Sequence, residues 1–279
     1  MPAPDAISCE KLAKLIGTPN CPILIDVRRE DVRAAEPRLL PGAIPVPEAE
    51  LSPEHLPGLA TRQSGSVVVI CAEGHRLSQG VAAWLRHEGL QAEYLEGGQE
   101  AWVALGLPTI DPAKIIARDT LGRSLWVTRS RPKIDRIACP WLIRRFIDPR
   151  AVFLFVNPPE VAGVAARFGA MPYDVDGVFW SHRGELCTFD VLIAEFGLSI
   201  PALERLALIV RGADTARLDL APEAAGLLAA SLGLSRMYSD DIEQLQAGIA
   251  LYDTFFRWAR DATSETHNWP ASAKGEEAV

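Results

Sequence analysis

Cys71, Ala72, Glu73, Gly74, His75 and Arg76 are the residues whose types and spacing promise chemistry. The cysteine follows the apolar run Val67-Val68-Val69-Ile70, and an amphipathic segment begins at Leu77, just after the arginine. A thiol leaving a buried strand through a short turn into a helix meets successive backbone amides and the partial positive charge of the helix N-terminus. Arg76 adds a full charge. Each of these favours the ionised sulfur, so the arrangement predicts a nucleophile at neutral pH. The competing reading is a buried structural cysteine, since free cysteine is often core. The carboxyl end of a strand is where α/β sheets hold their sites, which argues against that reading. Glu73 and His75 act in opposite directions on a dianionic donor, the carboxylate repelling it and a protonated imidazole attracting it.

The elements that must position this loop are legible around it. Ser8 is a plausible N-cap for a short helix and Gly17 its stop. Ile23-Leu24-Ile25-Asp26-Val27 reads as a strand buried on both faces. Leu40 to Val46 reads as a turn feeding a short extended piece. After the cysteine loop, Leu77, Val81, Trp84 and Leu85 recur at helical spacing until Gly89. Gln91 to Leu95 is a further strand, and Glu96-Gly97-Gly98 turns into a short helix around Ala101-Trp102. Alternating strands and helices predict a doubly wound parallel sheet over residues 1–110.

Four pieces of this region, in order, resemble the rhodanese family: Leu24 to Arg28, Leu40 to Ile44, Cys71 to Arg76 with Ser78, and Tyr94 to Gly98 followed by Ala101-Trp102. The resemblance implies a sulfurtransferase that needs no cofactor. In it Cys71 accepts sulfane sulfur as a persulfide and passes it to a thiol or other thiophilic acceptor. It makes Cys71 and Arg76 the catalytic pair and Ala72, Glu73, Gly74 and His75 the substrate-binding loop. Asp26 becomes a carboxylate near the loop, whose expected task is to brace neighbouring backbone. Arg38-Leu39 stands where the family often has a Gly-His pair, which alters a turn. The related phosphatases of this fold use a longer loop.

At 279 residues the chain has room for two domains, and its 48% hydrophobic and 23% charged residues describe a globular protein. No apolar run approaches the ~20 residues that span a bilayer. Five widely spread cysteines without a CxxC pair, and no basic apolar leader, predict a cytoplasmic location. The net charge of −8 is uneven, because residues 114–150 hold ten Lys and Arg against three Asp and Glu. That basic island is a candidate anion site between two acidic regions.

Residues 111–123 read as a linker, 124–270 as a second, mostly helical α+β domain, and 271–279 as a polar tail. Leu125 to Thr128 and Ala151 to Val156 read as strands, with a helix beginning at Pro140 between them. Pro172 to Val175 and Gly177 to Ser181 are short extended pieces, and everything beyond reads as helical. Helices start at Pro201, at Pro222 (ending at Gly233) and at Asp240. Asp174-Val175-Asp176-Gly177 reads as a turn, since the later ligands of a calcium loop are missing.

Trp126 to Phe146, Ser181 to Glu185, Cys187 to Asp190, Arg211 to Thr215 and Asp219 to Pro222 resemble the C-terminal domain of the ChrB family. The resemblance implies a part in chromate resistance and, in members with another N-terminal domain, in chromate-responsive gene regulation. Within it Arg129, Arg131, Lys133 and Arg136 form a basic turn that could hold a tetrahedral oxyanion such as chromate or sulfate. Ordinary salt bridging is the alternative. His182, Glu185, Cys187 and Asp190 are a candidate ligand set for zinc or iron, completed by a carboxylate such as Asp174 or Asp214. The alternative there is a polar network that braces the core.

Two functions follow. One is a sulfurtransferase coupled to a chromate-resistance domain in oxyanion detoxification. The other is a chromate-responsive sensor or transcriptional regulator in which the first domain is auxiliary. The expected partners are a small sulfane donor and a thiol acceptor. No DNA-reading motif is present and the overall charge is acidic, so nucleic acid is not an expected partner, and neither is a membrane. The sequence does not specify an oligomeric state.

Overall fold

A computed structural model describes residues 5–47, 50 and 65–265. The tail expected at 271–279 lies outside the described residues. The first half runs β1 (Ala6–Ile7), α1 (Cys9–Leu15), β2 (Ile23–Asp26), α2 (Glu30–Ala35), β3 (Ile44–Pro45), β4 (Val67–Ile70), α3 (Arg76–His87), β5 (Ala92–Leu95) and α4 (Gly98–Ala104). The strands form one parallel sheet in the order β1-β5-β4-β2-β3, with the all-apolar β4 at its centre.

Strand alternation divides the core into two layers. Val67, Val69 and Cys71 pack with Ala82 and Leu85 of α3, whereas Val68 and Ile70 face Leu12 of α1 and Trp102 of α4. The expected helices on both faces are therefore present, and Cys71 belongs to the α3 layer. Ser8 caps α1 by accepting from the Lys11 amide at 3.3 Å. The sequence reading did not foresee β1 and α2. The first is two residues long, and the second buries nothing, so neither carries a periodic apolar signal.

The second half comprises β6 (Leu125–Arg129), α5 (Asp135–Leu142), β7 (Val152–Val156), α6 (Val161–Phe168), β8 (Met171–Pro172), α7 (Thr188–Phe196), α8 (Pro201–Asp214), α9 (Ala224–Met237) and α10 (Asp241–Asp261). Its strands make a second parallel sheet, β7-β6-β8. Val127 faces α6 on one side of that sheet, while Trp126 faces the layer of α5, α7 and α8 on the other.

Two helix boundaries differ from expectation. The helix expected to start at Pro140 starts at Asp135 and carries Pro140 inside it. Proline has no N–H for the carbonyl four residues back. That carbonyl, on Arg136, accepts the Tyr173 hydroxyl instead at 3.3 Å. The helix then widens into a π-turn over Ile143–Ile147, which the Asp148 amide closes on the Ile143 carbonyl at 2.7 Å. Gly233 does not end α9, which continues to Met237 because glycine within a helix costs only about 1 kcal/mol.

The two halves share one apolar core in which Leu12, Ile16 and Trp102 join Phe146 and Phe256. The Gly42 amide donates to the Phe146 carbonyl at 2.7 Å, and Arg260 donates to the Lys14 carbonyl at 2.9 Å. Between the halves Pro112–Lys114 forms a 3-10 turn, and Arg118 bridges to Ser124. No helix among the described residues is long and apolar enough to cross a membrane.

Candidate functional site

Cys71 leaves the central strand with 7% of its surface exposed, and its sulfur lies 3.0 Å from the hydroxyl of Ser78, itself wholly buried on α3. The carbonyls around it are already engaged. Gln99 and Glu100, in the first turn of α4, donate their amides to the Cys71 and Ala72 carbonyls, both at 2.9 Å. The Gln79 side chain takes the Gly74 carbonyl at 3.1 Å, and the Gln79 amide takes that of His75 at 3.0 Å. Among the described residues, the amides of Ala72, Glu73, Gly74 and His75 donate to no protein acceptor. A run of unspent amides directly after a cysteine is what an anion cradle requires.

Two glycines make this close packing possible. A Cβ on Gly74 would stand 2.6 Å from the Gly97 nitrogen, and one on Gly98 would stand 2.3 Å from the Ala72 oxygen. Both have left-handed backbone, φ +71° and +60°. Arg76 opens α3 and is exposed, as are Glu73 and His75, so all three border the loop from the solvent side. Asp26 is buried and spent on Arg28, whose guanidinium meets the carboxylate at 2.7 Å and also donates to the Glu36 and Arg38 carbonyls.

The second half assembles a different group. His182 Nε2 lies 3.4 Å from Asp135 Oδ2, 3.4 Å from Asp174 Oδ1 and 3.2 Å from Asp214 Oδ2. Asp135 opens α5, Asp214 ends α8, and Asp174 and His182 lie on the chain between β8 and α7. Asp135 is fully buried and accepts the Thr188 amide at 2.6 Å from the start of α7. Burial and the neighbouring carboxylates push the Asp135 carboxyl up, and push Asp214 up to about 7. Burial also acts on Asp174, but His182, Arg136 and Arg129 outweigh it and hold this acid below its ordinary value. Contacts with Asp135 and Asp174 raise His182 to about 10.

Every positive-φ non-glycine among the described residues, Arg131, Ile134, Asp174 and Ala216, belongs to this cluster or lies within four residues of one of its acids. Such strain persists only where the surroundings over-determine it, and it gathers at functional sites.

The ligand set expected from sequence does not assemble. Cys187 and Asp190 form a capping box at the start of α7, with Asp190 accepting the Cys187 amide at 3.0 Å, and burial pushes the Cys187 thiol up. Glu185 is exposed and reaches only Arg217, at 4.0 Å. His182 alone of the four joins the acidic cluster, with Asp174 and Asp214 as the expected completing carboxylates. Asp135 was missed. Its signal was an acid set among the apolar residues Ile134, Ile137, Ala138 and Cys139.

Three of the four residues of the basic turn are engaged within the protein. Arg129 and Arg136 pair with Asp174 Oδ2 at 3.2 and 3.3 Å. The Arg131 guanidinium donates to the Tyr238 carbonyl at 3.1 Å and to that of Ser235. Lys133 is pushed below its ordinary value by burial and by Arg136, Arg131 and Arg236.

Residues 8–105 match the family described as rhodanese-like domain, and residues 126–259 match ChrB, C-terminal domain. A curated relative, Protein ChrB of Cupriavidus metallidurans, is 35% identical over 159 residues, which make up 56% of this chain and 46% of the relative. The chain thus spans about half the length of that relative. Among solved structures, a rhodanese-related protein from Thermoplasma volcanium is 26% identical over 38% of this chain and 96% of its own, with a TM-score of 0.32. A thiosulfate sulfurtransferase from Pseudomonas aeruginosa is 29% identical over 39% of this chain and 20% of its own, also with a TM-score of 0.32.

Proposed function

We propose that this chain, a rhodanese-like domain followed by a ChrB C-terminal domain, is a sulfurtransferase that serves oxyanion detoxification, chromate resistance included. One observation carries the reading: the Cys71 sulfur stands at the carboxyl end of the central strand beside amides that no protein acceptor uses. In the first half-reaction the Cys71 thiolate attacks the outer sulfur of thiosulfate, forming an S–S bond as sulfite leaves. The cradle amides and the Ser78 hydroxyl hold the persulfide anion. In the second, a thiophilic acceptor such as cyanide or a thiolate takes the outer sulfur and returns the Cys71 thiolate. Atoms and charge balance without a cofactor. Arg76, exposed at the rim, supplies positive charge to an approaching dianion.

The chemistry requires a reduced thiol, and all five cysteines are free. The link to chromate rests on the second domain and on the family it shares with Protein ChrB. A thiosulfate:cyanide assay tests the transfer. Thiocyanate production is expected from the wild type and should fall to background in Cys71→Ala. Equal rates in the two remove Cys71 from the reaction and with it this reading.

A further inference from the structure

The cluster of Asp135, Asp174, His182 and Asp214 takes no part in sulfur transfer, and although Thr188, Phe189 and Arg129 donate to its acids, its imidazole makes no short hydrogen bond. An imidazole nitrogen carries at most one hydrogen, and a charge-assisted N–H···O bond closes to about 2.7–2.9 Å. The Arg145–Asp253 pair in the same domain does so, at 2.7 Å. None of the three oxygens around His182 Nε2 comes nearer than 3.2 Å. Bonds of about 2.05 Å to one ion, the length typical of zinc with imidazole and carboxylate, would place tetrahedral ligand atoms about 3.3 Å apart. The observed separations of 3.2 to 3.4 Å fit that edge. The ligand atoms of Asp135, His182 and Asp214 all lie within 4.8 Å of one another.

Charge leads to the same place. Arg129 and Arg136 already serve Asp174, whereas Asp135 and Asp214 have no cationic partner except His182 among the described residues. Two carboxylates share one imidazole, so the site is short of positive charge. An unspent polar atom lies on the same side. Thr128, fully buried at the carboxyl end of β6, has a hydroxyl without a partner. By strand alternation it faces the layer that Trp126 faces. There Trp126 packs edge-on against Tyr173 and Trp180, which directly precede Asp174 and Ser181-His182.

We propose that Asp135, His182 and Asp214 bind a divalent transition-metal ion, with Asp174 held beside it by the two arginines. One nitrogen with two or three oxygens selects borderline ions of the Mn2+, Fe2+ and Zn2+ group. It falls short of the six to eight oxygens that Ca2+ takes. The soft ligand Cys187 is withdrawn as a helix cap, so thiolate metals are not expected here.

The test uses the full chain without a histidine tag, stripped with a chelator. Mn2+ is titrated by loss of the free-ion electron paramagnetic resonance signal, and Zn2+ by competition with a chromophoric chelator. The wild type is expected to take one equivalent, and His182→Gln and Asp214→Asn each to bind at least about tenfold more weakly. Both side chains are partly exposed, so the variants should fold, which a cooperative melt checks. His182→Cys keeps a ligand and should retain Zn2+ where His182→Gln does not. Uptake below about 0.1 equivalent of either ion by the wild type overturns the proposal, as does wild-type affinity in both weakening variants. Sulfur transfer at Cys71 should be unchanged throughout, so this site and the sulfur site fail or stand separately.

Discussion

Ser78 holds its hydroxyl oxygen 3.0 Å from the Cys71 sulfur and 3.2 Å from the His75 carbonyl. A hydroxyl has one hydrogen and two candidate acceptors here. With a neutral thiol the hydrogen can stay on the carbonyl while the sulfur donates to the oxygen. With a thiolate or persulfide it turns to the sulfur. A hydrogen bond to a charged group is worth about 1.5–3 kcal/mol. Ser78→Ala is therefore expected to lower kcat/KM for thiosulfate about tenfold or more, and Ser78→Thr to restore most of it. Unchanged steady-state kinetics in Ser78→Ala would show that this contact is packing only.

Alkylation separates the five cysteines. Burial pushes Cys21 up to about 12 and raises Cys9, Cys139 and Cys187 as well. A raised value keeps a thiol protonated at neutral pH and so unreactive. Brief treatment of the native protein with iodoacetamide at pH 7.5, followed by peptide mass spectrometry, is expected to modify Cys71 first. Prior thiosulfate, which caps the sulfur as a persulfide, should change the mass of the adduct at that peptide. Labelling of Cys139 or Cys187 at a matching rate would show that the order of reactivity is wrong.

The contact of the cysteine loop with the turn before α4 is steric as well as electrostatic. An alanine at Gly98 would put its Cβ 2.3 Å from the Ala72 oxygen in a left-handed backbone that costs about 1–3 kcal/mol for a non-glycine. Gly98→Ala is expected to lower the melting temperature by several degrees and to remove most sulfur transfer, because the Gln99 and Glu100 amides shift with it. Gly106→Ala, where an added Cβ meets nothing, is the control for left-handed strain alone. A Gly98→Ala melt matching that control would remove the steric part of the argument.

Much of the setting of the cysteine loop could be read from sequence because its determinants are local. Four apolar residues buried on both faces give a central strand, and the residues of the loop follow it directly. The helix after it keeps a 3.6-residue period. The second site was not legible in the same way. Neighbours in sequence stood for neighbours in space, so Glu185, Cys187 and Asp190 were grouped with His182. The start of α7 turns two of these into a cap, while two acids from other helices, with Asp174 of the same segment, converge on the histidine. Only Asp174 and Asp214 entered the expectation, as completing ligands. Pro140 misled for a related reason. The residue that lets proline sit inside α5 is Tyr173, more than thirty positions later.

That relation is itself testable. Tyr173 is fully buried, and its hydroxyl serves the carbonyl that Pro140 leaves open. Tyr173→Phe keeps the ring and strands the carbonyl, which costs about 1–3 kcal/mol for a buried acceptor. In the Tyr173→Phe, Pro140→Ala double variant the alanine amide replaces the lost donor. The double variant is expected to recover stability relative to Tyr173→Phe in urea unfolding. Equal costs with and without proline would show that the hydroxyl and the helix are uncoupled.

The acidic cluster also predicts how the metal-free protein responds to pH. His182 is raised from its ordinary 6.5 to about 10, so the folded state binds this proton more tightly than the unfolded chain does. The resulting stabilisation is fully present below about 6.5 and is lost as pH rises through about 10. Asp214, raised from 3.8 to about 7 by burial and the neighbouring acids, has the same sign over a lower window. Its contribution falls away as pH rises from about 4 to about 7. Chelator-treated protein should thus lose stability steadily as pH rises, as measured by urea midpoints at pH 5, 7 and 10. In His182→Gln the step between pH 7 and 10 should shrink, and in Asp214→Asn the step below 7 should shrink instead. Parallel pH curves for all three proteins would show that the folded state does not hold these protons as its geometry implies.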